Sequence, residues 1–258
     1  MLAFRLGRWA VGGASCALAY TMTVAFGAVL HAADSGAISG KVSFTGTLPP
    51  VQRVKLTADP KCAAMHQDGL DRQSIRVKDG GVVDVLVYVR SGLSGKYAPP
   101  AEPVVIDQVG CDYTPRMIVA VAGQSIKIRN SDDTLHNIHP RPKLNKEFNI
   151  GQPRKGMEST RMFDQPELMI PTGCDVHPWM RAYISVLVHP YYAVTADDGR
   201  YEIKGLPDGE YEIEAIHSEL KSITGKASVK GGAAVKLDLA YAPQKVSELG
   251  TGRTATGR

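Results

Sequence analysis

From Ala37 to Ala240 the chain is a succession of short alternating or β-branched runs, each closed by Gly, Pro or Asp, and no long segment keeps a helical period. A chain punctuated this way must bury its apolar faces sheet against sheet, so the expected fold class is all-β, and its length leaves the number of domains open. Strands are expected over Ile38–Phe44, Val83–Val89, Val104–Gln108, Met117–Ala122, Ser125–Asn130, Tyr183–Val188, Tyr201–Lys204, Tyr211–His217 and Ala234–Leu239. A short helix is expected over Pro60–Met65. The tail 242–258 is polar and aperiodic and is read as disordered.

Residues 1–33 stand apart. Arg5 and Arg8 come without an acid, a run of 22 uncharged residues follows from Trp9 to Leu30, and the small residues Ala32 and Ala33 close it. That is the pattern of an export signal and points to a periplasmic or otherwise exported protein. The run is long enough to span a bilayer, so an uncleaved N-terminal membrane anchor is a second reading. Lipidation at Cys16 fits less well, because the apolar run continues past it. Removal of two arginines lowers the formal charge from +4 to +2, and a near-neutral chain offers no footing for nucleic acid.

Cys174-Asp175-Val176-His177-Pro178-Trp179-Met180 places a thiolate, an imidazole and a thioether at C-x2-H-x2-M spacing on a tight loop ahead of a strand. These are soft ligands suited to copper, and a thioether serves zinc poorly. A second imidazole is available from His136, which follows the turn and strand Gly123 to Ile128. Two imidazoles and a thiolate with a weak axial thioether accommodate both copper oxidation states with little rearrangement. The expected metal ligands are therefore His136, Cys174, His177 and Met180. The plainer alternatives are a buried core thiol for Cys174 and core filling for Met180. His139 reads as a surface or outer-sphere imidazole, and His66, His189 and His217 as structural. Trp179 reads equally as a core aromatic or as part of an apolar rim around an exposed edge of His177.

Export also bears on the other thiols. If Cys174 is kept as a metal ligand, Cys62 and Cys111 remain to form a disulfide in an oxidising compartment; two buried free thiols are the other reading.

The two ligand segments resemble the blue-copper cupredoxins, most closely the amicyanin type, which share the C-x2-H-x2-M loop with Pro after the loop His and an H-N-x-H phrase matching His136-Asn137-Ile138-His139. The resemblance covers about 90 residues, 101–190, and implies a Greek-key sandwich with one type 1 copper. It also implies that the Asn137 segment hydrogen-bonds the thiolate side of the site. Residues 141–165 have no counterpart in that family. A second resemblance, to the carboxypeptidase regulatory-like (transthyretin-like) sandwich, rests on Asp198-Gly199-Arg200-Tyr201-Glu202-Ile203 and Leu206-Pro207-Asp208-Gly209-Glu210-Tyr211. It covers 191–241. The strand Ile38-Ser39-Gly40-Lys41-Val42 within 36–95 fits the start of that fold, so one sandwich interrupted by the copper domain and two consecutive domains are both open.

The function expected is single-electron transfer with a redox partner protein, a cytochrome or a dehydrogenase. Copper delivery is the alternative, weakened by the absence of a Met-rich run. Enzymatic copper chemistry is disfavoured because His-x-His pairs are absent, and a binding module because 191–241 has no clustered aromatics.

Overall fold

The strand Gly36–Phe44 anchors the first sheet of the protein, described here by a computed structural model covering residues 35–56 and 59–242. The expected export signal, and the expected disordered tail beyond residue 242, lie outside the described residues. No helix among the described residues is long and apolar enough to cross a membrane.

Gly36–Phe44 pairs antiparallel with Arg200–Leu206, where Ile38 faces Ile203, and runs parallel to Ala234–Lys236 and Leu239–Tyr241. The opposing sheet is Tyr192–Val194, Leu86–Ser91, Gly209–Ile216 and Ile223–Val229. Period-two alternation turns Ile38, Val42, Val85, Val87, Val89, Tyr201, Ile203, Tyr211 and Ile213 into the space between them, all buried. The turn ahead of Tyr201 depends on glycine: Gly199 has φ +80°, and a Cβ on Gly81 opposite would stand 1.9 Å from Asp198 O.

Between Ser91 and Tyr192 lies the second sandwich. One sheet orders Glu158–Arg161, Ile126–Asn130, Val104–Val109 and Asp112–Thr114. The other orders Ile150–Gln152, His136–Pro140, Glu167–Gly173, Arg181–Leu187 and Met117–Val121. Its core is Ile106, Ile118, Ile126, Ile128, Ile138, Ile170, Ile184 and Val186, with Cys174 and Met180 at one end. The sandwiches meet through Leu86, Tyr88, Met117, Val119, Leu187 and Ile216. The expected all-β class is what the chain adopts, and the one helix among the described residues, Pro60–Met65, falls where the sequence placed it.

Residues 52–72 form a cap. The strands Gln52–Val54 and Leu70–Arg72 pair antiparallel, and the helix Pro60–Met65 lies between them in sequence. The cap has its own small core of Leu56, Cys62 and Cys111, with Val54, Ala63, Leu70 and Trp179 against it. Cys62 and Cys111 are joined by a disulfide across 49 residues, and the chain-entropy model gives such a crosslink on the order of 4 kcal/mol. Cys174 is the free cysteine among the described residues. Mass spectrometry of the purified protein, alkylated before reduction, is expected to find Cys62 and Cys111 unmodified, both becoming labelled only after reduction; labelling of the pair without reduction would contradict the crosslink.

Candidate metal centre

The ligand loop is a closed turn of backbone. Cys174 ends the strand Glu167–Gly173, Met180 precedes Arg181–Leu187, and the two strands pair antiparallel, so the seven-residue loop returns on itself. Cys174 N donates to Met180 O at 3.2 Å, and Met180 N to His177 O at 2.9 Å. His177 N donates to Cys174 Sγ at 3.3 Å. His136 begins the neighbouring strand His136–Pro140, whose His139 faces Gly173.

This folding brings three of the expected ligands together. His136 Nδ1 lies 2.9 Å from His177 Nδ1, and Cys174 Sγ lies 3.8 Å from His177 Nδ1. The donor atoms of His136, Cys174 and His177 are all within 4.8 Å of one another, and all three residues are buried. Met180 is fully buried in the same core cluster as Cys174, beside this group in the loop. A thiolate and two imidazole nitrogens, buried and converging, with a buried methionine in the same loop, are a donor set that fits copper.

Asn137 joins the two ligand segments, as the resemblance implied. Its Oδ1 lies 3.2 Å from Cys174 Sγ and accepts from Asp175 N at 2.7 Å. Its Nδ2 donates to Asn149 Oδ1 at 2.7 Å and Asp175 Oδ2 at 3.1 Å, which fixes the amide orientation. His139 stays outside the cluster, with Nδ1 3.0 Å from Asp175 Oδ2 and Nε2 2.6 Å from Glu147 Oε1.

The other lone histidines hold structure. His66 Nε2 is 2.7 Å from Gly110 O, and His189 Nε2 is 2.8 Å from Val89 O. Burial holds His217 down at about 4, which keeps it neutral.

The surroundings of His177 differ from the sequence expectation. An exposed ring edge was expected; the residue is instead fully buried, because the cap lies over it. Asp59 Oδ2 accepts at 2.9 Å from the side of His177 Nε2, and the Cys62 sulfur stands 3.7 Å from the same nitrogen. Trp179 packs under the cap, its ring centroid 4.9 Å from that of His177 and its Nε1 donating to Cys111 O at 3.0 Å. The tryptophan is half-buried and packs against the cap core, which is the core-aromatic reading; with His177 covered, there is no exposed ring edge for it to rim.

Two site residues were not legible in the sequence, Asp59 and Asp132. Asp132 Oδ2 lies 2.9 Å from His136 Nε2. Neither acid sits at ligand spacing, although Asp59 directly before Pro60 carries the signature of a helix cap.

Charge in the cluster is arranged as an ion pair. Burial pushes the Cys174 thiol up, yet hydrogen bonds from the His136 and His177 rings and from the Asn137 and His177 backbone overcome it and bring the group down to about 6. Burial disfavours the charged His136 ring, but Asp132 and the Cys174 sulfur outweigh it and raise the group to about 9. His177 is raised as well, against its burial, by Cys174 and Asp59. Asp59 is held at about 2, since the His177, Thr134 and helix N–H hydrogen bonds overcome its desolvation. Near neutral pH the centre is thus a thiolate beside imidazolium, the arrangement a bound cation replaces.

No protein-family model matches the chain, and no curated protein matches it. Among solved structures, a copper-containing nitrite reductase from Thermus scotoductus SA-01 aligns with TM-score 0.29 and 19% identity over 37% of this chain and 25% of its own. This chain therefore spans about a quarter of that enzyme. A purple cupredoxin from Nitrosopumilus maritimus aligns with TM-score 0.28 and 20% identity over 32% of this chain and 98% of its own. A Cu(I) amicyanin variant aligns with TM-score 0.29 and 18% identity over 39% and 97%.

Asn137→Ala removes the acceptor shared by the Asp175 and Val176 amides and the donor to Asn149 Oδ1 and Asp175 Oδ2. Urea unfolding is expected to show a loss of about 2 kcal/mol with an unchanged slope, because buried donors are left unpaired. A loss below a few tenths of a kcal/mol would mean that Asn137 does not hold the loop.

Proposed function

We propose that this chain is an exported type 1 copper protein that carries single electrons to or from a redox partner protein and is not itself an enzyme. The observation that carries the reading is the convergence of His136 Nδ1, His177 Nδ1 and Cys174 Sγ inside one buried sandwich end, with Met180 beside them. When bound, copper supplies a one-electron couple. The chain's residues supply a rigid, dry setting: the loop hydrogen bonds and Asn137 fix the sulfur, and the cap excludes water.

Burial of all three donors beneath a disulfide-tied cap favours retention of the metal over its delivery. The covered His177 edge leaves other short paths outward. Trp179 touches His177 and is half-buried, and Leu135 and Val176, chain neighbours of the two histidines, are 43% and 41% exposed. Such small apolar patches suit brief redox encounters.

One equivalent of Cu(II) added to the protein is expected to produce an intense visible charge-transfer band that vanishes on reduction. Cys174→Ser is expected to abolish the band while the β signal in circular dichroism persists. A colourless, redox-silent adduct in the unaltered protein would remove the carrier reading.

The same cluster sets a pH dependence. Between about 6 and 9 the metal-free centre holds a thiolate and a protonated His136. Binding must expel that proton, so copper affinity is expected to rise at least tenfold per pH unit in this window, more steeply below it where the thiol is also protonated, and to level off above it. Competition titrations across pH 5 to about 10 check this; a flat profile would show that no imidazolium is displaced.

A further inference from the structure

Both candidate histidines carry the same kind of outer partner. His136 Nε2 lies 2.9 Å from Asp132 Oδ2, and His177 Nε2 lies 2.9 Å from Asp59 Oδ2. Carboxylates only accept, so each ring donates through Nε2–H, and Nδ1 is left as the nitrogen with a lone pair for metal. Both Nδ1 atoms do face the site, 2.9 Å apart.

Neither carboxylate is washed by water: the side chains are 5% and 15% exposed. Each is pinned on its far side. Asp132 accepts from Gly110 N at 2.9 Å and Cys111 N at 2.8 Å. Asp59 divides its oxygens: Oδ1 caps the helix through Lys61 N and Cys62 N, and Oδ2 takes Thr134 Oγ1 and His177. A helix cap needs only the first oxygen, so the second is free to serve the ring. The Cys62–Cys111 disulfide joins the two backbone stretches that pin the two carboxylates.

We propose that Asp59 and Asp132 are positioning residues of the metal centre, a matched pair of carboxylate–histidine contacts that fix both imidazoles as Nδ1 donors and hold the reduction potential down. This rests on the copper-carrier reading above. Oxidised copper carries one more positive charge than reduced copper, so two fixed negative charges behind the ligand rings stabilise the oxidised form more, and dry surroundings screen them little. Asp59 is supplied by the cap, across 118 residues of chain, so the cap sets the potential as well as covering the site.

The test uses the mature protein with Asp59→Asn, Asp132→Asn and Asp59→Ala, read by redox potentiometry of the copper form and by affinity for redox-inactive Zn(II). Asn removes charge but keeps an acceptor oxygen. Each Asn variant is expected to stay coloured while its potential rises by the equivalent of a tenfold change in Cu(II) over Cu(I) preference, about 59 mV for one electron. Zn(II) affinity is expected to fall by roughly 10- to 100-fold, as for outer partners of other metal histidines. Asp59→Ala, which also frees the ring, is expected to release copper to a chelator faster than Asp59→Asn does. Asp71→Asn is the control, since Asp71 lies on the same cap, pairs with Arg53 and touches neither histidine; its potential should not move.

Folded Asn variants with unchanged potential and unchanged Zn(II) affinity would overturn the proposal, as would an equal shift in Asp71→Asn. If Asp132→Asn does not fold, Asp59→Asn decides alone. If the unaltered protein forms no coloured copper adduct, the carrier reading fails, and Zn(II) affinity still decides whether the carboxylates position the rings.

Discussion

The acceptance of several donors by one atom, Asn137 Oδ1, is the constraint around which the metal centre is built. Asp175 N at 2.7 Å and, more distantly, Val176 N at 3.4 Å donate to it, and Cys174 Sγ lies 3.2 Å away. Asn137 belongs to the strand that begins at His136, so one side chain fixes the register between the two ligand segments. The backbone of Asn137 is held in turn, its carbonyl accepting from the buried Tyr113 hydroxyl at 2.5 Å. A fully satisfied buried network of this kind specifies one arrangement, because each alternative strands a polar group in a dry core. That requirement holds Cys174 and His177 of the seven-residue loop against His136 of the neighbouring strand.

A dry site must also be closed, and the chain closes it with residues 52–72 instead of leaving a ring edge at the surface. The cap's own core is small and does not hold it in place unaided. The disulfide, the Asp59 contacts to His177 and Thr134, and the ion pair of Lys61 with Asp133 at 3.3 Å tie it down. The exposed ion pair contributes little; the crosslink and the buried hydrogen bonds dominate. The cap and the loop are mutually dependent, since Trp179 supplies an aromatic face to the cap core and Cys111 O receives its indole proton.

What was readable in the sequence follows the range of the interaction responsible. The C-x2-H-x2-M loop, the helix Pro60–Met65 and most buried strands are local patterns, and they stand where expected. The strand Ile223–Val229 was not legible, because Gly225 breaks its alternation; a Cβ there would come within 2.9 Å of Leu239 Cδ2. The strands Ile150–Gln152 and Glu158–Arg161 lie at sheet edges, where polar residues blunt pairing and erase the apolar period. The burial of His177 was illegible for a different reason. It is decided by a cap from far up the chain, and nothing at positions 174–180 distinguishes a covered ring from an open one.

The connectivity shows how the sandwich that holds the candidate metal centre is carried within another sandwich. The chain leaves the first sandwich after Leu86–Ser91 and re-enters it at Tyr192–Val194, and these two strands are paired, Tyr88 opposite Tyr192. An excursion of about 100 residues between adjacent strands has its ends together already, and since closure entropy grows only logarithmically with loop length, the insertion costs little. The inserted sandwich then adds contacts of its own. Tyr192 Oη donates to Val119 O at 3.1 Å, and Met117 and Val119 pack on Leu86 and Ile216. Met117–Val121 runs parallel to Arg181–Leu187, the strand that leaves the ligand loop. The interface between sandwiches therefore supports the strand pair on which the loop carrying Cys174 and His177 is mounted.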